Sequence, residues 1–332
     1  MPSVSGEEQE MRDHNDMLRS TSKLHRGALK MMGKLPEKTR SKLNHQYRRE
    51  ALHRYLQRKV GPSFRVVDPR PSAPPELVGH TSAMTEHDIP IKANPDEYFG
   101  GAYDGTLYFL QILEKCSFNL RTVGSILDFG CGTGKNIRLY RCIDGVRLVG
   151  TDVNPKVIEW ARENVSGVEF HLNDLDPPLT WAEDDSFDLV TAGSVFTHIP
   201  LDRQEAWLVE IRRVLRPGAY FLCTLAGAFH AQRQLSLEQR AMLAREGRYA
   251  LGPDDTGVSL ASTNIRQEDV FQTKGDALAV FKRVFTVLDH LCPAHGQEIL
   301  VLQKEPTTGR RHPLEGLPTD RAPAKPDERV RA

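Results

Sequence analysis

Three glycines alternate along Ile126-Leu-Asp-Phe-Gly-Cys-Gly-Thr-Gly-Lys-Asn136, directly after an apolar run and before a helix-like one. Gly130, Gly132 and Gly134 let the chain turn sharply and bring a ligand against main-chain amides at a helix N-terminus. The spacing discriminates between ligands. A dinucleotide fingerprint is GxGxxG, whereas Lys135 stands here where the last glycine of that motif would fall. Asp128, two residues ahead of Gly130, would repel a pyrophosphate but attracts a cation or accepts from an ammonium group. The loop therefore points away from NAD and toward a positively charged cofactor. Asp152 follows in Val149-Gly-Thr-Asp-Val-Asn-Pro155, where an acidic side chain can accept from both hydroxyls of a ribose. Asp174, in His171-Leu-Asn-Asp-Leu175, can accept from an exocyclic adenine amine.

Such acids need strand ends to hold them. β-rich runs cover Ser125 to Phe129, Arg147 to Thr151, Val168 to Leu172, Phe187 to Ala192 and Tyr220 to Leu225. Helical periodicity covers Lys135 to Arg141, Pro155 to Asn164 with Asn154 as N-cap, and Asp202 to Leu215. The order β-α-β-α-β-β-α-β predicts a doubly wound, mostly parallel sheet covered on both faces. Gly275 to Lys282 reads as a further helix, and Val284 to His290 with Glu298 to Gln303 as an antiparallel edge pair. Asp128, Asp152 and Asp174 then fall at the carboxyl ends of successive strands, where open α/β sheets bind ligands.

The 332 residues carry 44 basic and 44 acidic side chains, a formal net charge of zero. That average hides an asymmetry, because residues 1–60 hold 14 basic and 7 acidic groups, leaving 30 and 37 for the rest. Leu43, Tyr47, Ala51, Tyr55 and Leu56 recur at helical spacing among Arg48, Arg49, Arg54, Arg58 and Lys59, which predicts a basic amphipathic helix. The expected organisation is a basic helical extension at 1–60, a linker at 61–97 with seven prolines, a catalytic domain at 98–305 and a disordered tail at 306–332. Charges scattered through the first thirty residues argue against a secretory signal, and no apolar run is long enough to span a bilayer. Five cysteines without a CxxC pair argue against a disulfide framework or a zinc site, so a cytoplasmic setting and no metal are expected. Nothing in the chain reads as an oligomeric state.

With these residues together, the chain from about Tyr98 to Lys304 resembles the class I S-adenosylmethionine-dependent methyltransferases. The resemblance is carried by DFGCGTG at Asp128 to Gly134, TDVNP at Thr151 to Pro155, Asn173-Asp174, FDLVTAGSVFTHI at Phe187 to Ile199 and LRPGAY at Leu215 to Tyr220. It implies a Rossmann-like, seven-stranded α/β sheet with an antiparallel edge strand, and S-adenosyl-L-methionine as cofactor. The cofactor set it implies is Asp128, Gly130, Cys131, Gly132, Thr133, Gly134, Asp152, Val153, Asn173, Asp174 and Ser194.

The sulfonium methyl is already activated, so the protein must supply alignment and, for a hydroxyl acceptor, a base. His198 is the best-placed candidate base; the bland readings are a cap for the following helix or a hydrogen bond to a nearby loop. Relatives often carry His-Gly after the fifth strand, where this chain has Ala226-Gly227, with His230 three residues on. Tyr98, Phe99 and Tyr103 read either as a cover over the cofactor or as packing for the first helix. Asp176-Pro-Pro-Leu179 lacks the aromatic of an amino-methylating DPPY motif and follows the third strand. The expected activity is O-methylation of a small molecule or glycan. The alternatives are a nucleic-acid methyltransferase using the basic helix as an arm, and a binding or scaffold protein that retains the fold.

Overall fold

The computed structural model describes residues 37–74, 77, 95–252, 268–293 and 296–306. The expected tail beyond 306, residues 1–36 of the basic extension and residues 75–76 and 78–94 of the expected linker lie outside these residues.

Five strands run parallel to one another: β1 (Ser125–Phe129), β2 (Arg147–Asp152), β3 (Glu169–Leu172), β4 (Phe187–Ala192) and β5 (Leu215–Leu225). β8 (Thr286–Leu291) and β9 (Glu298–Gln303) complete a seven-stranded sheet of order β3-β2-β1-β4-β5-β9-β8. The antiparallel strand is β9, which pairs with both β5 and β8. It therefore sits one strand in from one edge, where β8 is outermost, and β3 forms the opposite edge. β1 is buried along its whole length and its neighbours nearly so, because helices cover both faces. Strand order reverses between β1 and β4, and the crevice beyond their carboxyl ends is where the glycine loop emerges.

α3 (Pro155–Asn164) starts as its sequence predicts: Asn154 Oδ1 accepts from the Lys156 amide and Pro155 occupies the first turn. α4 (Leu201–Val214) covers the opposite face, burying Trp207, Leu208 and Ile211 against β4 and β5. The helix expected over Lys135 to Arg141 is instead a 3₁₀ segment, Ile137–Cys142, in which all six side chains are buried. Its tighter winding carries Arg138 and Arg141 inward, where both guanidinium groups bind main-chain carbonyls.

Two N-terminal elements pack on the domain. α1 (Glu37–Val60) lies on α2 (Pro95–Lys115) and buries Leu52, Tyr55, Leu56 and Val60. Arg48 and Lys59 on α1 pair with Asp104 and Glu114 on α2. Part of the basic helix thus contacts the chain's own acids. α2 itself begins at Pro95, inside the span expected to be linker.

The chain between β5 and β8 contains an insertion that periodicity did not resolve into strands. α5 (Ala228–Gln234) leads to α6 (Leu237–Glu246), whose capping box joins Ser236 and Gln239 and whose end is Gly247 in the left-handed region. β6 (Arg248–Leu251) and β7 (Asp269–Gln272) then form a separate two-stranded antiparallel ribbon. α7 (Lys274–Phe281) returns the chain to the sheet.

Candidate functional site

The glycine loop leaves β1 with Gly130, Gly132 and Gly134 all at positive φ. A side chain at two of these positions would collide with the fold as well as strain the backbone. A Cβ on Gly130 would fall 2.3 Å from Val195 Cγ2, and one on Gly134 would fall 2.6 Å from the Phe170 ring. The turn after β4 and the side chain from β3 therefore press directly on the loop. Cys131 points back into the sheet, its Sγ 2.8 Å from where a Cβ on Gly150 would lie. Burial pushes its thiol well above the ordinary range, which leaves it a packed, protonated group rather than a nucleophile.

Asp152, at the end of β2, accepts from the Gly132 amide through Oδ2 at 2.8 Å and from the Asn154 amide through Oδ1 at 2.9 Å. Burial raises its pKa, and these amides work against the rise. Asp128 is buried beneath the loop. Its Oδ1 accepts from the Thr191 hydroxyl at 2.9 Å, while Oδ2 has no hydrogen-bond partner among the described residues. Burial pushes this carboxyl up to about 7, against the pull of the Thr191 hydrogen bond. Asn173 is fixed by the Thr151 hydroxyl, which donates to its Oδ1 at 2.8 Å, and by its main-chain amide, which donates to Asp152 O. Asp174 beside it is exposed, and Val153 is partly exposed next to Asp152.

The loop's outer side is held by aromatic and cationic side chains. Tyr98 Oη lies 2.5 Å from Thr133 Oγ1, and Tyr98, Phe99 and Tyr103 are each at most 3% exposed. These three rings pack α2 against the domain instead of forming an open cover.

Two of the candidates lie on the other side of the crevice. Ser194, exposed and at φ +60°, donates through Oγ to Gln297 Oε1 at 2.9 Å, and its amide donates to Thr224 Oγ1 at 2.7 Å. Its main chain is thus tied to β5 and its side chain to the residue before β9, rather than to the glycine loop. His198 does not cap α4, whose first turn has no side-chain cap. Its Nδ1 lies 3.1 Å from Asp269 Oδ1 and 3.2 Å from the Glu268 carbonyl oxygen. The ribbon makes this pair: the Val270 amide donates to Thr197 O at 2.8 Å and docks β7 beside the turn after β4. With Nδ1 held by a carboxylate, Nε2 is the nitrogen left to take up a proton.

A second buried pair closes the same end of the sheet. His290 Nε2 lies 2.8 Å from Glu298 Oε2, and Glu298 Oε1 accepts from the Ala228 amide at 3.2 Å. Burial alone would raise Glu298, but the hydrogen bond and charge of His290 outweigh it and hold the carboxyl below its usual range. Gly227 is required beside it, since a Cβ there would overlap the carboxylate. His290 and Glu298 were not among the residues picked out by type and spacing, and neither were Asp269, Gln297 and Arg138. A run of two short strands at the end of the chain signals only a hairpin, not a buried ion pair.

Residues 127–223 match the family model of a methyltransferase domain. Among curated proteins, the chain is 32% identical over 146 residues to a malonyl-[acyl-carrier protein] O-methyltransferase of Hahella chejuensis, covering 36% of this chain and 48% of that one. It is 36% identical over 122 residues to a fatty-acid O-methyltransferase of Mycolicibacterium smegmatis, covering 35% and 43%. The chain thus spans about half the length of these relatives. Among solved structures, a protein of Pyrococcus horikoshii OT3 superposes with a TM-score of 0.46 at 21% identity, over 67% of this chain and 100% of that one.

Proposed function

We propose that this chain, whose residues 127–223 match a methyltransferase-domain model, is a class I S-adenosylmethionine-dependent methyltransferase that methylates a hydroxyl oxygen of a small molecule or glycan, with His198 as the base. The cofactor supplies an activated methyl group on a sulfonium. What supports its fit is the donor and acceptor set around the glycine loop. Asp128 offers a buried carboxylate oxygen without a partner, suited to an ammonium group. Asp152 holds its carboxylate against the loop, suited to a ribose diol, and Asn173 and Asp174 come directly after the end of β3. Gly132 and Thr133 are buried between these acids.

The single observation that carries the choice of a hydroxyl is the Asp269–His198 pair. A carboxylate acceptor is ionised at neutral pH and needs no base, whereas a hydroxyl must lose its proton as the new bond forms. Asp269 orients the imidazole and stabilises the imidazolium that results. Two relatives are named as O-methyltransferases, of a malonyl-[acyl-carrier protein] and of a fatty acid; they share oxygen as the acceptor atom, but on a carboxylate and not on a hydroxyl. The test is to incubate the protein with methyl-labelled S-adenosylmethionine and fractionated cell extract. Label in small molecules or glycans, as alkali-stable ethers, is the expected result. Label confined to base-labile esters, nucleic acid or protein would overturn it.

A further inference from the structure

Arg138 is 1% exposed and makes no ion pair among the described residues. A buried guanidinium is costly unless its donors are satisfied, and here they are spent on main-chain carbonyls from two distant segments. Nε donates to Gly134 O at 2.8 Å and Nη2 to Thr133 O, both in the glycine loop. Nη1 donates to Pro69 O at 3.1 Å and to Pro71 O at 2.6 Å. The guanidinium also lies over the faces of Phe99 and Trp160, 5.6 and 5.5 Å from the ring centroids.

The segment it grips is a strap along the domain surface. The Arg65 amide donates to Cys142 O and the Asp144 amide to Ser63 O, so the strap enters as a short ladder against the end of the 3₁₀ segment. Arg141 Nη2 then donates to Asp68 O at 2.5 Å, and Ala73, 4% exposed, lies where the strap reaches the aromatic cluster of α2. Cations on one segment thus hold three successive points of the other.

We infer that Arg138 is a positioning residue that couples docking of the strap at 63–73 to the binding-competent conformation of the glycine loop, making the N-terminal extension part of the cofactor site. The inference rests on the cofactor reading above. The carbonyls of Thr133 and Gly134 are fixed from outside by Arg138, which leaves the loop free to contact a ligand on its other side. A strap that is displaced leaves two of the guanidinium donors in a buried setting without partners, so loop and strap favour one another. Coupling of this kind is reciprocal: if the docked strap favours cofactor binding, bound cofactor must favour the docked strap by the same factor.

The test is amide hydrogen exchange on the full chain, with and without saturating S-adenosylhomocysteine, alongside calorimetry. In the wild type, S-adenosylhomocysteine should slow exchange of the Arg65 to Asp68 amides by about 5- to 150-fold. In Arg138→Lys, which keeps the charge but cannot bridge four carbonyls, that slowing should vanish and affinity should fall by a comparable factor. Wild-type binding that leaves strap exchange unchanged would overturn the inference alone, as would an Arg138→Lys protein with wild-type affinity and strap protection. Failure of the wild type to bind at all would overturn the cofactor reading and the inference together. The wild-type arm needs no variant to fold.

Discussion

His198 Nδ1 and Asp269 Oδ1 stand 3.1 Å apart across the mouth of the crevice, although 70 residues of chain separate them. One lies on the turn that leaves β4, the other at the start of β7, the second strand of a ribbon inserted after β5. The insertion therefore does more than cover the sheet: it delivers the carboxylate that orients the imidazole.

His198→Ala should lower turnover with a hydroxyl acceptor by about 10²- to 10⁴-fold, the range of a positioned general base. Affinity for S-adenosylhomocysteine should stay near wild type. Asp269→Asn should give a smaller loss, since the imidazole keeps a hydrogen-bond partner but loses the charge that stabilises its protonated form. Steady-state kinetics with calorimetry on the same samples checks both, and unchanged turnover in His198→Ala removes it as the base.

Burial pushes the Asp128 carboxyl up to about 7. A bound ammonium group beside it favours the ionised form and lowers that pKa. Cofactor binding near pH 6.5 should therefore release a proton, and the release should disappear in Asp128→Asn. Calorimetric titrations in two buffers of different ionisation enthalpy read the proton count directly; identical apparent enthalpies in both would contradict the placement. The apo protein carries the opposite sign. A carboxyl raised from about 3.9 to about 7 binds more protons folded than unfolded in that window, so its contribution to stability declines as pH rises from 4 to 7. Asp128→Asn should flatten that decline.

Gly134→Ala should destabilise the fold by about 2–4 kcal/mol, combining a left-handed backbone with overpacking against Phe170. Gly193→Ala is the control, since a Cβ at Gly193 meets open space. Denaturant unfolding compares the two, and equal effects would contradict the close packing of loop on β3.

The His290–Glu298 pair predicts behaviour at the acid end. Glu298 is held below its unfolded value, so its contribution to stability is present above pH about 4.3 and is lost as pH falls through the folded pKa. Thermal melts across pH 3 to 6 should show a shallower acid limb for Glu298→Gln than for the wild type. Parallel limbs would mean that the pair makes no pH-dependent contribution.

Much of this architecture can be read along the chain because its signals are local. Strand, glycine turn and helix follow one another within Ser125 to Asn164, and Asn154-Pro155 marks a helix start without reference to anything distant. Asp128 and Asp152 stand out for the same reason, as acids at ends of apolar runs. Arg138 does not, because an arginine in a helix-like stretch reads as a solvated surface group; only the fold shows that it meets carbonyls some 67 residues away. Asp269 and Glu298 are hidden likewise, each depending on a partner brought in by another element. The ribbon of β6 and β7 escaped notice because four-residue strands carry too little alternation to register.

Cofactor binding should depend on Asp152, and calorimetric titration of S-adenosylhomocysteine into wild type and Asp152→Ala tests this most directly. The wild type should bind one equivalent, and Asp152→Ala should lose that binding while retaining the wild-type circular-dichroism spectrum. Absence of wild-type binding, or equal affinity in the two proteins, would contradict it.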